Sequence, residues 1–408
     1  MTESKAARLS RRALGAGTLA GGLALATAAC GASDTSPSDN DVARLLQAYD
    51  AQGYHRTGHL ADDENADWLA REAANLDAVV SIEAFAIERV EPADCYVAIG
   101  ETRIAGTPVF DAAFTGPEGI DGVLGAEIGL DTLGPLAIYQ PSYEAYRTQP
   151  SRKALVTVTK GGRAGLALFN GERFLHPYGV PNLLVSSEDG PALADAAARG
   201  ARVQVVADVR RVPSRVRNVV ASVKGSDPTA RPVAVMTPRS GWWHCASERG
   251  GGIVCWLAVL QALRDHKPRA SVTMVASSGH ELGHIGLDDF MSRRPELVTG
   301  ATWLHFGANI GARDSKLTLQ SPQDDLRSLG TAALDAAGHP AAGLSPPTQV
   351  PFGESRAIHR AGGRYLTFIG SNDLFHLRDD RYPDALDIDA VGRISQAAAQ
   401  IAVTMSGG

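Results

Sequence analysis

The second half of the chain, after Pro213, alternates short apolar runs with helical segments. Strand-like runs lie at 216–223, 232–236, 270–276, 301–306 and 365–369. Helical patterns lie at 253–265 and 387–405, and a further helix is predicted to begin near His280. Apolar runs separated by helices are typical of a largely parallel sheet covered on both faces. The sequence therefore predicts an α/β fold with a mostly parallel mixed sheet sandwiched by helices.

The part of the chain before Pro213 has a different pattern of apolar residues. Helical spacing in 42–76 is followed by strand-like alternation in 79–90, and then by short apolar runs separated by Gly and Pro. Those runs predict a small β-rich insert. The predicted organisation is a signal at 1–30, a flexible tether at 31–41, a first part of the α/β domain at 42–115, the insert at 116–212 and the main α/β part at 213–408.

The N-terminus predicts export. Arg11 and Arg12 precede an apolar, small-residue stretch from Leu14 to Ala29, and Cys30 follows directly. A twin-arginine pair, an apolar region and small residues before a cysteine are typical of an exported lipoprotein, anchored by a lipid to the outer face of the cell membrane. The alternative is an ordinary signal peptide cleaved after small residues, without lipidation.

Charge and cysteine content narrow the function classes. The net charge of −6 gives no indication of nucleic-acid binding, and no segment after the signal is apolar and long enough to span a membrane. Three further cysteines follow Cys30. In an exported protein Cys245 and Cys255 could form a disulfide, and buried free thiols are the alternative.

Four predicted loops at strand ends carry the polar residues, since reactive groups in α/β sheets gather where strands end. The motifs are Asn-Val-Val-Ala-Ser-Val-Lys-Gly at 218–225, Ser-Glu-Arg-Gly-Gly-Gly at 247–252, Gly-His-Glu-Leu-Gly at 279–283 and Phe-His at 375–376, with Asp379 and Asp380 just after. Their order and spacing resemble the co-catalytic zinc exopeptidases: aminopeptidases, glutamate carboxypeptidases and glutaminyl cyclases. The insert resembles the protease-associated domain that such enzymes often carry.

The resemblance implies one intact metal site. Glu248 matches the family's bridging acid, Glu281 its outer acid and His376 its late histidine ligand. Two carboxylates and one imidazole leave a fourth position for water, as in a catalytic zinc site. We therefore expect one zinc ion per chain.

The same comparison implies that the second metal site is lost. Thr237 and Arg239 occupy the positions of the family's His-x-Asp pair, and Ala308 occupies that of its last Asp. Because neither Thr nor Ala replaces a charged ligand, we expect no second metal.

The catalytic base is also altered. His280 stands where the family has its catalytic Glu, and an imidazole can accept a proton from zinc-bound water near neutral pH. Arg239 is a second catalytic candidate, because it and Arg249 could hold a substrate carboxylate in the vacated site. Alternatively, these arginines form a structural ion pair with Glu248 and stop it from binding metal.

A second metal motif overlaps the first. Residues 280–284 fit H-E-x-x-H, in which His280 and His284 would bind zinc from one helical face and Glu281 would act as the base. The preceding strand and the glycines at 279, 283 and 286 favour a strand-to-helix loop instead. This set is the alternative to Glu248, Glu281 and His376.

The resulting functional hypothesis is an exported single-zinc hydrolase, or a glutaminyl-cyclase-like acyltransferase, acting on a small peptide or amide. The rival hypothesis is a non-catalytic pseudo-peptidase that binds a peptide or a partner in the cleft corresponding to the family's active site.

Overall fold

The computed structural model describes residues 39–76 and 78–407. The predicted signal, Cys30 and most of the predicted tether lie outside these residues. The last residues of the predicted tether, 39–41, are described and belong to the first helix. The described residues group as one compact unit.

The helices of the described residues are α1 (Asp39–Asp50), α2 (Leu60–Ala74), α3 (Pro141–Arg147), α4 (Gly190–Ala198), α5 (Ala246–His266), α6 (Ile285–Ser292), α7 (Pro295–Gly300), α8 (Asp324–Ala336), α9 (Ser355–Arg360) and α10 (Ile388–Ser406). Short 3₁₀ turns occupy Pro135–Tyr139, Ser187–Asp189 and His280–Leu282.

The strands are β1 (Val79–Ile99), β2 (Thr102–Pro108), β3 (Ile120–Val123), β4 (Ile128–Leu133), β5 (Ala154–Thr159), β6 (Asn182–Val185), β7 (Arg202–Val223), β8 (Val233–Pro238), β9 (Val272–Ser277), β10 (Thr302–Phe306), β11 (Thr318–Gln320), β12 (Gly343–Leu344) and β13 (Arg364–Ile369).

A parallel group of four strands forms the centre of the large sheet. β9, β8, β10 and β13 lie side by side in that order and run parallel, while β7 and β11 flank them in antiparallel pairs. Every residue of β8 and of β10 is buried, as expected for strands covered on both faces. The prediction of a mostly parallel mixed sheet between helices is confirmed.

Helix α5 is the central helix of the covering layer. It packs against α10 and α1, and its buried residues include Trp256 and the long apolar run that predicted a helix at 253–265. The observed helix begins earlier, at Ala246, because its first turn is capped by another part of the chain. The Asp380 carboxylate accepts hydrogen bonds from the backbone N–H groups of Ser247 and Glu248 at 2.8 and 3.0 Å.

Two long antiparallel strands connect the central sheet with the predicted insert. β1 and β7 pair from Val79 with Ser222 to Ala98 with Gln204, and β2, β6, β5 and β4 continue the sheet beyond β1. The predicted boundary between 212 and 213 falls inside β7, which runs on without interruption. The likeness of 116–212 to a protease-associated domain remains a prediction.

Two further predictions concern cysteines and membrane spans. Cys95, Cys245 and Cys255 are free thiols, so Cys245 and Cys255 do not form the disulfide that their export would permit. In the described part of the chain, no helix has the length and apolar character needed to cross a bilayer.

Candidate functional site

A cavity of about 430 Å³ opens where β10 and β13 of the central sheet end. Its polar lining includes His280 and His376, which follow β9 and β13, and Asn309, which follows β10. This convergence confirms that the loops at the carboxyl ends of the parallel strands meet at one place. The apolar wall comprises Pro135, Leu136, Ile138, Tyr139, Phe352, Ile369 and Phe375.

His280 is held against a carboxylate that sequence reasoning did not identify. Its Nδ1 donates a hydrogen bond to Oε1 of Glu354 at 2.7 Å. Glu354 precedes α9 and is buried, and both residues line the cavity. An imidazole oriented by a carboxylate is an arrangement suited to general acid–base chemistry.

The second oxygen of Glu354 is also engaged. Its Oε2 lies 3.2 Å from Nε2 of His305, and Nδ1 of His305 lies 3.0 Å from the Ser355 hydroxyl. Burial opposes ionisation of Glu354, yet the neighbouring His280 and His284 and the hydrogen bonds from His280 and His305 hold its pKa well below the ordinary value. Glu354 is therefore an ionised carboxylate between two imidazole rings.

His284 completes this group. Its ring centroid lies 4.8 Å from that of His280, and burial lowers the pKa of His284 to about 3. Its Nε2 is buried without a hydrogen-bond partner in the described residues. Among the residues that the structure describes, His280, His284 and Glu354 form the one group of three metal-ligating side chains whose donor atoms lie within 4.8 Å of one another.

His280 and His284 meet through a turn, not along a helix. A 3₁₀ turn covers His280–Leu282, and Gly283 and His284 both adopt positive φ angles of 81° and 64°. The motif therefore lacks the single helical face that H-E-x-x-H requires in zinc proteases.

Glu281 lies outside this convergence. Its Oε1 accepts the backbone N–H of Thr57 at 2.6 Å, and its Oε2 accepts the Ser240 hydroxyl at 2.8 Å. The side chain thus ties the segment before α2 to the loop after β8. These contacts leave Glu281 as a structural bridge between segments distant in sequence.

Glu248 and His376 do lie together. His376 Nε2 is 3.4 Å from Oε1 of Glu248, and its Nδ1 donates to the carbonyl of Leu168 at 2.5 Å. The same Glu248 oxygen is, however, 2.5 Å from Nη2 of Arg249. Although burial favours the neutral acid, Arg249 and His376 lower the pKa of Glu248 below its ordinary value.

The two arginines have separate roles, and neither lines the cavity. Arg249 forms an ion pair with Glu248, which was one of the two alternatives that the sequence allowed. Arg239 points to α2 instead, where its Nη1 donates to the Asp62 carboxylate at 2.7 Å and to Asn65 at 3.1 Å. Burial raises the pKa of Asp62 to about 6 despite this guanidinium. The contacts of Arg239 therefore do not place it to hold a substrate.

Thr237, one position of the predicted missing metal, is a packing position, whereas Ala308 lines the cavity. The Thr237 hydroxyl donates to the carbonyl of Phe306 at 3.0 Å. A Cβ on Gly252 would lie 2.6 Å from that hydroxyl oxygen, and one on Gly251 would lie 1.8 Å from the carbonyl oxygen of Ile310. Only glycine at these positions lets α5 approach the loop after β10 so closely.

These contacts decide whether the family's zinc fits at its usual position. Glu248, Glu281 and His376 are not gathered into one donor set, because Glu281 is held by backbone and hydroxyl donors. One oxygen of Glu248 is paired with the Arg249 guanidinium, whereas Glu248 Oε2 and His376 Nε2 have no hydrogen-bond partner in the described residues. A zinc ion is held by carboxylate oxygens, thiolates or neutral imidazole nitrogens that converge about 2.0–2.3 Å from the metal. The residues at the family's metal positions do not fit a zinc ion.

Solved structures of peptidases share this architecture. The chain is similar to an aminopeptidase from Aneurinibacillus sp. strain AM-1, with 14% identity over 91% of this chain and 94% of that chain and a TM-score of 0.71. It is similar to BSAP, a zinc aminopeptidase from Bacillus subtilis, with 16% identity, coverages of 90% and 95% and a TM-score of 0.73. A peptidase precursor from Shewanella amazonensis gives 15% identity, coverages of 90% and 96% and a TM-score of 0.68.

The chain has the zinc-exopeptidase fold. The resemblance inferred from the motifs at 218–225, 247–252, 279–283 and 375–376 is confirmed at the level of the fold. No protein-family model matches the sequence. No curated protein matches it in sequence either. The chain therefore shares this fold with three structures to which its sequence is 14–16% identical.

Sequence reasoning missed Glu354 because nothing local distinguishes it. The residue lies in a loop, 74 positions after His280, with no partner spacing that predicts a site. The one available signal was a carboxylate next to the glycine of Phe352-Gly353-Glu354-Ser355, just before a short helix. His305 lies within β10 and is buried, as its position in an apolar strand predicts.

Proposed function

We propose that this protein uses the cavity to bind a small peptide or amide, without the zinc chemistry of the fold's peptidases. The observation that carries the proposal is the buried Arg249–Glu248 ion pair at the bridging position. A divalent ion bound by Glu248 would leave the Arg249 guanidinium buried beside a second cation. Removing one partner from a buried ion pair costs about 3–5 kcal/mol, so zinc is disfavoured at this position.

The cavity itself supports small-ligand binding. Its volume lies within the roughly 300–1,000 Å³ typical of ligand sites, and apolar side chains form one wall. Side-chain amides of Asn309, Gln320, Gln349 and Asn372 lie along the lining. Amide groups can both donate to and accept from a peptide bond, and the apolar wall suits an aliphatic or aromatic side chain. A short, largely uncharged peptide or amide matches this lining.

A hydrolase is the second candidate, and the His280–Glu354 hydrogen bond favours it. His280 occupies the position of the family's base and lines the cavity. A neutral imidazole there could take a proton from a water molecule attacking an amide carbonyl, and Glu354 would stabilise the imidazolium that results. The proton would then pass to the departing amine.

A screen of short peptides and amides separates the two candidates. Binding is measured as a rise in the unfolding temperature of the full-length protein, and product formation is followed by mass spectrometry. Ligand stabilisation without product supports the binding protein, whereas turnover that His280→Ala reduces by about two to four orders of magnitude supports the hydrolase. If no compound stabilises the protein or reacts, the cavity is not a peptide or amide site.

A matched pair of variants tests the location. Leu136→Glu places a charge on the cavity wall, and Leu175→Glu places one at an equally exposed leucine outside the cavity lining. We expect the first to abolish ligand stabilisation and the second to leave it unchanged. Equal effects of both changes would locate binding elsewhere.

We further propose that the protein works outside the cytoplasm, anchored by lipid at Cys30. The support is the order of Arg11, Arg12, the apolar stretch 14–29 and Cys30 in the sequence. An extracytoplasmic location would expose the cavity to peptides and amides outside the cell.

A further inference from the structure

We propose that His280, His284 and Glu354 form a metal site for zinc or a similar transition-metal ion at the edge of the cavity. The inference goes beyond ligand binding, because it concerns a metal held at positions other than those that Glu248, Glu281 and His376 occupy. Two imidazoles and one carboxylate, with a fourth position open, match the donor set of a catalytic zinc site.

The donor atoms are already close to a coordinating arrangement. Each residue contributes one atom to a group spanning at most 4.8 Å, and Nδ1 of His280 lies 2.7 Å from Oε1 of Glu354. In a tetrahedral zinc site, donor atoms lie about 3.3 Å from one another, given metal–ligand distances of about 2.0–2.1 Å. Side-chain rotations that bring the atoms of this group closer together would reach this geometry, and the proton shared by His280 and Glu354 would be replaced by the ion.

His284 supplies the independent observation. Its Nε2 is buried and has no hydrogen-bond partner in the described residues, although the backbone at His284 adopts a positive φ of 64° to hold the ring there. An unsatisfied buried polar atom destabilises the folded protein, and a left-handed conformation at a residue other than glycine adds to that cost. A bound cation would give this otherwise unpaired imidazole a partner.

The surroundings of Glu354 are those of a supported metal ligand. His305 Nε2 lies 3.2 Å from the second oxygen of Glu354, and the Ser355 hydroxyl fixes the opposite side of the His305 ring. Such outer hydrogen bonds orient the carboxylate toward the ion. Access is open, because His280 and Glu354 both line the cavity.

This site differs from a zinc-protease H-E-x-x-H motif. Glu281, the acid between the two histidines, is fixed by Thr57 and Ser240 and so does not serve as the base. Glu354 is the acid at the site, and it acts as a ligand. When the ion is bound, His280 is a ligand as well, which excludes it from acting as a free base.

Metal binding is tested without any peptide. The full-length protein is freed of metal with a chelator and titrated with Zn²⁺, and the four-coordinate environment is examined from the visible spectrum of the Co²⁺ form. We expect about one ion per chain, accompanied by a rise in unfolding temperature. Because the readout is metal content, loss of peptide binding would not affect this test.

Four variants assign the ligands. His284→Ala and Glu354→Gln should weaken zinc binding by more than about 100-fold, since even outer-shell changes cost about 10- to 100-fold. His376→Ala and the exposed His176→Ala should retain it. His284→Ala breaks no hydrogen bond of Nε2, and the unfolding temperature of its metal-free form is measured beside its zinc affinity to separate lost packing from a lost ligand. If it does not fold, the Glu354→Gln titration decides.

Three results would overturn the proposal. The first is a wild-type protein that binds no zinc, and the second is zinc binding that none of the variants changes. The third is loss of zinc in His376→Ala with full retention in His284→Ala, which would restore the family's ligand set.

Discussion

Replacing Glu248 by Gln tests whether this carboxylate serves Arg249 or a metal ion. In the structure Oε1 of Glu248 lies 2.5 Å from the Arg249 guanidinium, and both side chains are buried. The variant keeps the shape of the side chain and leaves the guanidinium without its counter-ion. Breaking a buried pair in this way costs about 3–5 kcal/mol. We therefore expect Glu248→Gln to lower the free energy of unfolding of the metal-free protein by that amount.

The assay is urea unfolding in a buffer that contains a chelator. Two controls accompany this measurement. The first is Asp325→Asn, which removes the partner of Arg364 in an exposed ion pair and should leave the free energy of unfolding nearly unchanged. The double variant Glu248→Gln with Arg249→Met removes both charges and should recover most of the loss, because an apolar replacement of a buried pair is often neutral.

The pH dependence has a definite sign. Because the folded-state pKa of Glu248 lies below its ordinary value of 4.5, its contribution to stability is present above about pH 4.5 and is lost as the pH falls below it. Glu248→Gln should remove this part of the acid sensitivity. The reasoning is refuted if Glu248→Gln is as stable as the wild type, or more stable, in the absence of metal. That result would mean that Arg249 does not stabilise the buried Glu248 carboxylate and that this carboxylate is free to bind a metal ion.

Three further predictions follow from single contacts. Asp62→Asn leaves the Arg239 guanidinium without its carboxylate and should lower the free energy of unfolding by about 3–5 kcal/mol, measured by urea unfolding. Zinc binding should not change. An unchanged unfolding curve would contradict a structural role for this ion pair. Burial lowers the pKa of His55 to about 3, so the contribution of this residue to the free energy of unfolding is fully present above pH 6.5 and is lost as the pH falls toward 3. His55→Gln should therefore make stability less dependent on pH between these values. An unaltered pH dependence would contradict this assignment. Cys30→Ala should move the protein from the membrane fraction to the soluble fraction on cell fractionation, and a wild type already found in the soluble fraction would disprove the anchor.

Local sequence patterns were sufficient for the architecture. Apolar runs at 232–236, 270–276, 301–306 and 365–369 became the four parallel strands, because an uninterrupted apolar run of that length requires burial on both faces. The same topology brought His280 and His376 to one cavity, since parallel strands deliver their carboxyl ends to one edge. The resemblance also implies that Thr237 and Ala308 replace charged ligands of the family's second metal.

Only the tertiary structure decided what the remaining polar residues contact. Glu281 matches a ligand in sequence but is bonded to Thr57, 224 positions earlier, and Arg239 is bonded to Asp62, 177 positions earlier. His280 and Glu354 meet across 74 positions, and the ring of His284 reaches them through a turn of positive φ angles. Side-chain direction depends on partners that are distant along the chain, and periodicity carries no information about them. The order of the motifs along the chain is visible in the sequence, whereas the partner that each polar side chain contacts is set by packing.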